Sequence, residues 1–279
     1  MFRKNRTKAR LNNGKAVQGI VHGLADPQVA EMIGLAGYDF IVIDGEHGSG
    51  GMQQHLACLQ AVAATPTTAI IRVASNDEVA FKHALDLGAE GVLVPDVRTV
   101  AEAKAAVDAC FYPPRGKRGF SAPTVRASDY SININKYMAN NGDDLLICLM
   151  IESAEGVANA KQIAKVKGVD VVQLGPFDLS CDLGIPGQFE HPKFTRAMAE
   201  VEKATLAAGK ILGGVPLPGL PLEEVLARDY LFITMGVDVP MLSEALTARI
   251  DGFSNLVARV KRSRNKTTPA KRKSTKKKR

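Results

Sequence analysis

Residues 40–48, FIVIDGEHG, decide the fold prediction, because a continuous apolar run ends there in charged residues. The run at 40–43 lacks the polar alternation of a half-exposed strand and is typical of a strand buried on both faces of a parallel sheet. Helical patterns, several ending in glycine, alternate with such runs along the chain. Eight such apolar runs are found, at 16–23, 40–45, 68–73, 91–97, 145–152, 169–176, 210–216 and 230–236. Eight strand–helix units predict a (β/α)8 TIM barrel. A doubly wound sheet is the alternative.

The composition indicates a globular chain with a sizeable core, since 46% of the 279 residues are hydrophobic. No window reaches 18 consecutive apolar residues, which excludes a predicted membrane span. The basic N-terminal stretch lacks the apolar segment of a secretory signal. Four cysteines are scattered without the spacing of a metal site. These features predict reduced thiols in a cytoplasmic protein.

The formal net charge of +7 comes from the C-terminal tail. Residues 261–279 contain 11 of the 36 Lys and Arg residues and none of the 29 Asp and Glu residues. Without them the balance is 25 basic to 29 acidic residues, a net of −4. We therefore expect a barrel domain at 1–260 and a disordered basic tail at 261–279. This tail has three possible roles: a solvated extension, attachment to a polyanion such as nucleic acid, and nuclear or nucleoid targeting.

Polar side chains at the strand ends form the predicted active site, because strand C-termini in a TIM barrel meet at one face. In chain order they are His22, Asp44, Glu46, His47, Arg72, Asp96, Glu152, Asp178 and Asp238. Glu152 and Asp178 follow adjacent strands and can share a hard divalent cation such as Mg²⁺ or Mn²⁺. Helix capping is the competing interpretation for these two acids.

Three further features of these strand ends suggest chemistry. Arg72 is a fixed cation suited to a developing oxyanion, or the partner of an ordinary ion pair. Asp44 and His47 can form an acid–base dyad, although a histidine in a glycine-rich turn can equally be solvated. The backbone N–H groups of Phe177 and Asp178 are candidates for binding a carboxylate or phosphate. No predicted inner strand carries a lysine, which disfavours an imine mechanism.

Six motifs together resemble the HpcH/HpaI type of metal-dependent class II pyruvate aldolases. They appear in the family's order over about 16–240: IDGEHG (43–48), IRV followed by ND (71–77), LDLGAEGVLVPDV (85–97), YPPRGKRG (112–119), MIES (150–153) and GPFDLSCDLG (175–184). The resemblance implies a divalent-metal-dependent lyase (Mg²⁺, Mn²⁺ or Co²⁺) that cleaves or forms 4-hydroxy-2-oxo acids, with pyruvate and an aldehyde as products. It also implies a TIM barrel whose C-terminal helix is exchanged between the subunits of a homohexamer.

Carried over to this sequence, the family's site residues are as follows. Glu152 and Asp178 look like the metal ligands, and Arg72 like the group that stabilises the pyruvate enolate. His47, supported by Asp44, looks like the acid–base partner. Asp86 matches an aspartate that reaches a neighbouring subunit's site. The turn that runs from Gly175 through Phe177 to Asp178 would hold the pyruvate carboxylate.

The sequence departs from the family pattern at Met150, where relatives often carry glutamine. A methionine cannot hydrogen-bond a water or a substrate as that amide does. Two other functions remain open at this point. The RGKRG segment at 115–119 suggests a lyase acting on an acyl-CoA of the citryl or malyl type. A non-catalytic barrel with a polyanion-binding tail is the third hypothesis.

Overall fold

A computed structural model describes residues 3–140 and 142–267 of the chain. Eight parallel strands form one closed barrel in chain order, each paired with the next and β8 with β1. This confirms the predicted TIM barrel, and the doubly wound alternative is wrong. The strands are β1 (Val17–His22), β2 (Phe40–Asp44), β3 (Thr68–Arg72), β4 (Gly91–Val94), β5 (Leu146–Ile151), β6 (Val171–Leu174), β7 (Ile211–Gly214) and β8 (Tyr230–Val237).

Eleven α-helices are found in the described residues, most of them in the connections between successive strands. They are α1 (Arg6–Asn12), α2 (Pro27–Leu35), α3 (Met52–Val62), α4 (Glu78–Asp86), α5 (Val100–Cys110), α6 (Ile134–Asn140), α7 (Ala154–Ile163), α8 (Pro176–Asp182), α9 (Pro192–Ala207), α10 (Leu222–Ala227) and α11 (Asp238–Thr267). The long connection predicted between the fourth and fifth strands contains α6 and a 3-10 turn at Arg126–Ser128.

Alternate strand residues divide the core into two layers, because successive side chains of a strand point to opposite faces. The outer layer packs between strands and helices. In the inner layer, Phe40 and Phe232 stack with ring centroids 4.0 Å apart. Gly19 on the intervening strand permits this pair, since an added Cβ would overlap the Phe40 ring. The barrel is therefore filled by side chains, and its open end carries the site.

Helix α1 was not predicted from the sequence. It lies before β1, and its Leu11 joins the inner core layer. Thr7 donates to the backbone carbonyl of Asp39, and Lys8 pairs with Asp170 at 3.0 Å. These bonds tie α1 to the N-terminal ends of the strands. Only two of its residues are buried, so its sequence shows little helical periodicity.

The chain divides into two compact units, one ending at Asp238 and the other beginning at Val239. The second unit contains α11, which runs seven residues beyond the predicted helix end at 260. Residues 268–279, the greater part of the predicted tail, lie outside the described residues. Within this unit, exposed apolar side chains recur at the helical spacing of three or four residues: Leu242, Leu246, Ile250, Phe253, Leu256 and Val260. In the described part of the chain, no helix is both long and apolar enough to cross a membrane.

Candidate active site

Asp44 and Arg72 form a paired carboxylate and guanidinium at the site. They end β2 and β3 and are register partners. The Nε and Nη2 groups of Arg72 donate to the two oxygens of Asp44, at 2.8 and 2.7 Å. Burial disfavours the charged form of Asp44, but the Arg72 guanidinium and the backbone N–H groups of Glu46 and His47 outweigh it. As a result the pKa of Asp44 lies below its ordinary value.

The turn after β2 places Glu46 and His47 beside this pair. Arg72 Nη1 lies 3.1 Å from Glu46 Oε2, and His47 Nε2 lies 3.8 Å from the same oxygen. Asp44 accepts hydrogen bonds from the backbone N–H groups of both residues, at 3.0 and 3.2 Å. The His47 side chain is 67% exposed. Its imidazole is therefore next to Glu46, and the predicted Asp44–His47 side-chain dyad is not formed.

Close backbone contacts explain why two positions of this turn, Gly45 and Gly48, are glycines. A Cβ on Gly45 would lie 2.6 Å from the carbonyl oxygen of Arg72, and one on Gly48 would overlap the carbonyl oxygen of Asp44. Both glycines are therefore required by close backbone approach. The tight turn returns two backbone N–H groups to the carboxylate that begins it.

Glu152 is a buried carboxylate at the end of β5, with only 5% of its surface exposed. Its Oε1 accepts the backbone N–H of Asp96 at 2.6 Å, while its Oε2 is buried and has no hydrogen-bond partner among the described residues. Burial and the charges of Asp178 and Glu46 raise its pKa to about 7, against the opposing effects of the Asp96 N–H and Arg72. A buried carboxylate oxygen without a partner fits a bound cation.

The local backbone is shaped around this carboxylate. Gly175 precedes α8, and an added Cβ there would overlap Glu152 Oε2. Asp96 adopts a left-handed φ of 47°, which an aspartate tolerates better than most residues, and presents its N–H to Glu152. Helix capping does not explain Glu152, since Ser153 caps α7.

Asp178 lies in the first turn of α8 with an exposed side chain. Burial is the main cause of the raised pKa of Glu46 and of Glu152, and the charge of Asp178 acts on both in the same direction, so the three carboxylates form one electrostatic cluster. Phe177 contributes a backbone N–H to the same turn, and its exposed ring contacts Phe189 edge-on with centroids 5.3 Å apart.

The donor set suits a hard cation, because it consists of carboxylate oxygens. Within residues 3–140 and 142–267, no three His, Cys, Asp or Glu side chains converge as a complete ligand set. A cation held by Glu152 and Asp178 would therefore take its remaining ligands from water and substrate, as Mg²⁺ commonly does.

Two other strand-end residues, His22 and Asp238, pair with each other. His22 Nδ1 lies 2.7 Å from Asp238 Oδ2, and both side chains are buried. Asp238 also accepts the backbone N–H groups of Gly23 and Leu24, at 2.9 and 3.4 Å. This joins the end of β8 to the turn after β1. The sequence placed both residues at the rim but gave no sign of their pairing.

Asp86 is not brought to the cluster within one chain. It ends α4, which runs from the site end of the barrel back towards the N-terminal ends of the strands. There Arg118 Nη2 donates to it at 2.5 Å. Its predicted contribution to a neighbouring subunit's site remains a prediction.

The RGKRG segment is engaged within the fold. Arg118 is 6% exposed and lies over the Tyr112 ring, with the guanidinium carbon 4.7 Å from its centroid. Arg115 lies 3.7 Å from the centroid of Phe111 and pairs with Asp143. Their role in packing this connection weakens the hypothesis of a coenzyme A site at 115–119.

Comparisons with known proteins agree with this geometry. The family model described as HpcH/HpaI aldolase/citrate lyase matches residues 19–245. A 4-hydroxy-2-oxo-heptane-1,7-dioate aldolase from Salmonella dublin is 37% identical over 262 residues, which cover 91% of this chain and 97% of that protein. A hydroxypyruvate/pyruvate aldolase from Pseudomonas aeruginosa is 38% identical over 247 residues, covering 87% of this chain and 90% of the relative.

The fold comparison gives the same result. The crystal structure of an HpcH/HpaI aldolase/citrate lyase family protein from Burkholderia cenocepacia superposes with a TM-score of 0.84 at 30% identity. The match covers 90% of this chain and 99% of that one. The similarity therefore extends over the whole barrel.

Proposed function

This chain belongs to the HpcH/HpaI aldolase/citrate lyase family and is a carbon–carbon lyase of the aldolase type, and on that premise we propose its substrate and mechanism. It cleaves and forms 4-hydroxy-2-oxo acids, with pyruvate or a close 2-oxo acid and an aldehyde as products. The observation that carries the proposal is Glu152, whose buried Oε2 has no hydrogen-bond partner among the described residues and whose carboxylate interacts electrostatically with the guanidinium of Arg72.

Glu152 and Asp178 would hold a divalent cation, with Mg²⁺, Mn²⁺ and Co²⁺ as the candidates. When bound, such a cation supplies positive charge that polarises the carboxylate and 2-oxo oxygens of the substrate. The backbone N–H groups of Phe177 and Asp178, at the start of α8, would bind the substrate carboxylate.

Arg72 stabilises the oxyanion that develops at C2. During cleavage the C3–C4 bond breaks, its electron pair forms the enolate, and C4 becomes the carbonyl carbon of the aldehyde. The bidentate contact with Asp44 holds the guanidinium in one orientation, so that its remaining N–H groups need not reorganise as charge develops. Asp44 therefore acts through Arg72.

His47 accepts the proton of the C4 hydroxyl as that bond breaks. Its exposed imidazole sits at the mouth of the site, where the aldehyde half enters, and Glu46 lies 3.8 Å from its Nε2. Histidine is the side chain that most often acts as a general base, and it suits this role. The enolate is then protonated at C3 to give the 2-oxo acid.

The assembly is proposed to be a homo-oligomer, a hexamer by analogy with the family, in which α11 is exchanged between subunits. Support comes from the exposed apolar face of α11, which a soluble monomer rarely retains. Asp86 then serves the site of a neighbouring subunit. A cytoplasmic location is proposed because the four cysteines are unpaired in the structure.

The sequence of the tail supports a second, separate proposal. Its 11 basic and no acidic residues suit contact with a polyanion such as nucleic acid. DNA binding that weakens with salt and is lost when 261–279 are deleted would support it. Binding that survives the deletion would contradict it.

A screen of 4-hydroxy-2-oxo acids for pyruvate release tests the proposed reaction. The protein is first stripped with a chelator and then reloaded with Mg²⁺, Mn²⁺ or Co²⁺. We expect release only with metal, and its loss in Glu152→Gln. Release that persists at full rate in the chelated protein would contradict the proposal.

A further inference from the structure

His55 is a half-buried histidine that the proposed mechanism does not use. It lies near the start of α3, and its ring packs against the turn that follows β2. A Cβ on Gly45 would lie 3.3 Å from His55 Cε1, and a Cβ on Gly50 would lie 3.5 Å from His55 Cδ2. The imidazole therefore lies between the two ends of the turn that carries Glu46 and His47.

One nitrogen of this ring is enclosed by the turn. Nε2 lies between Cε1 and Cδ2 in the imidazole, so it faces the space between Gly45 and Gly50. It is buried and has no hydrogen-bond partner within the described residues. A neutral ring with its proton on Nδ1 leaves only an unused acceptor at this position, whereas a protonated ring would place an N–H donor there without an acceptor. The enclosed nitrogen therefore favours the neutral ring.

The surroundings of the ring act on its charge in both directions. Burial has the largest effect and lowers the pKa of His55 below its ordinary value of 6.5. The charge of Asp44 opposes this effect, and that of His22 adds to it. The ring is therefore neutral at neutral pH and takes up a proton only under acidic conditions.

A cleft beside the ring gives it room to move. The cleft has a volume of about 350 Å³ and lies between α3 and α4. His55 of α3 and His83 of α4 both line it, together with the charged residues Arg72 and Asp77. A protonated imidazole can rotate into this cleft and be hydrated there, but it then no longer supports the turn.

We propose that His55 is a positioning residue whose neutral imidazole holds the turn at 45–50 in place and whose protonation releases it. The inference rests on the proposed aldolase function, because this turn carries His47 and follows Asp44, which orients Arg72. His55 acts through these residues and does not itself contact the substrate. Acidic conditions then stop cleavage in two ways, through protonation of His47 and through release of the turn.

The test is the pH dependence of kcat for cleavage of a 4-hydroxy-2-oxo acid with saturating Mn²⁺. Because two protonations stop the wild type, its log kcat should fall with a limiting slope of about 2 at acidic pH. His55→Phe keeps a ring beside the turn but cannot titrate, so the slope should fall to about 1. His83→Phe, in the same cleft, is the matched control and should keep the slope of the wild type. Near neutral pH, His55→Ala, which removes the ring, should lose about tenfold more kcat than His55→Phe.

Thermal unfolding gives a readout that does not depend on activity. The pKa of His55 is lowered from 6.5 in the folded state, so below that pH the unfolded chain binds more protons at this residue. The contribution of His55 to stability is therefore complete above pH 6.5 and is lost as the pH falls through the folded pKa. The Tm of the wild type should fall relative to that of His55→Phe on acidification. Glu152 is present in both proteins, so its titration cancels in the comparison.

An unchanged slope in His55→Phe would overturn the inference, and so would Tm curves of the two proteins that stay parallel on acidification. His55→Leu gives the same two comparisons if phenylalanine does not fit the space and the first variant fails to fold. Absence of cleavage by the wild type at every pH would instead overturn the proposed function, whereas the Tm comparison would still report whether His55 titrates as described.

Discussion

The carboxylate of Asp44 binds the guanidinium of Arg72 through two parallel hydrogen bonds of 2.8 and 2.7 Å across neighbouring strands. The same carboxylate reaches His47 only through its backbone N–H. Asp44 is therefore an orienting residue for the arginine and for the turn. Its effect on the imidazole is indirect.

The substitution Asp44→Asn tests this relationship. An asparagine keeps the shape but loses the charge and one acceptor, which leaves Arg72 less well oriented. We expect kcat/KM to fall about 10²- to 10³-fold, mostly in kcat, and Tm to fall as well. Steady-state kinetics and calorimetry check both. Loss confined to KM would mean that Asp44 acts in substrate binding and would contradict the orienting role.

The exposed position of His47 predicts that activity and stability separate there. His47→Gln removes the proton acceptor and should lower kcat for cleavage about 10²- to 10⁴-fold. Because the side chain is 67% exposed, the Tm should change by less than about 2 °C. Asp44→Asn, which is expected to lose stability too, is the comparison. Near-normal kcat in His47→Gln would rule out its role as the acid–base residue.

Gly175 predicts a steric effect on the metal site. Gly175→Ala introduces a methyl group where Glu152 Oε2 now lies, so the carboxylate must move. We expect metal affinity, measured by isothermal titration calorimetry, to fall at least tenfold. Gly51→Ala is the matched control, since Gly51 also precedes a helix and its added Cβ meets nothing closer than 3.6 Å. Equal affinity in the two variants would contradict the crowding.

The buried Glu152 predicts a pH dependence of the metal-free protein. Its pKa is raised from 4.5 to about 7 in the folded state. Between these values the folded state binds more protons at Glu152 than the unfolded state, so the contribution of Glu152 to stability is greatest below about pH 4.5 and is lost as the pH rises through about 7. The Tm of the metal-free wild type should therefore fall relative to that of Glu152→Gln across this range. Parallel Tm curves for the two proteins would contradict the raised pKa.

The fold could be predicted because its signals are local. Each apolar run ends close to an observed strand end, and the polar residue after the run marks the site face. Glu152 and Arg72 were found by this rule alone. Helix α1 was not predicted because it is held by hydrogen bonds to residues far away in sequence, such as that from Thr7 to the Asp39 carbonyl.

Pairings within the site could not be predicted in the same way. Proximity in sequence suggested that the Asp44 side chain orients His47, whereas the strand register pairs Asp44 with Arg72. The pairing of His22 with Asp238 depends on closure of the barrel between β8 and β1.

The central claim is that Glu152, with a divalent cation, enables enolate formation beside Arg72. Proton NMR of pyruvate in D₂O tests it most directly, because exchange of the methyl protons reports enolate formation without an aldehyde. We predict rapid exchange in the protein loaded with Mn²⁺, Mg²⁺ or Co²⁺, and loss of exchange on chelation and in Glu152→Gln. Exchange that continues unchanged after chelation or in Glu152→Gln would contradict the claim.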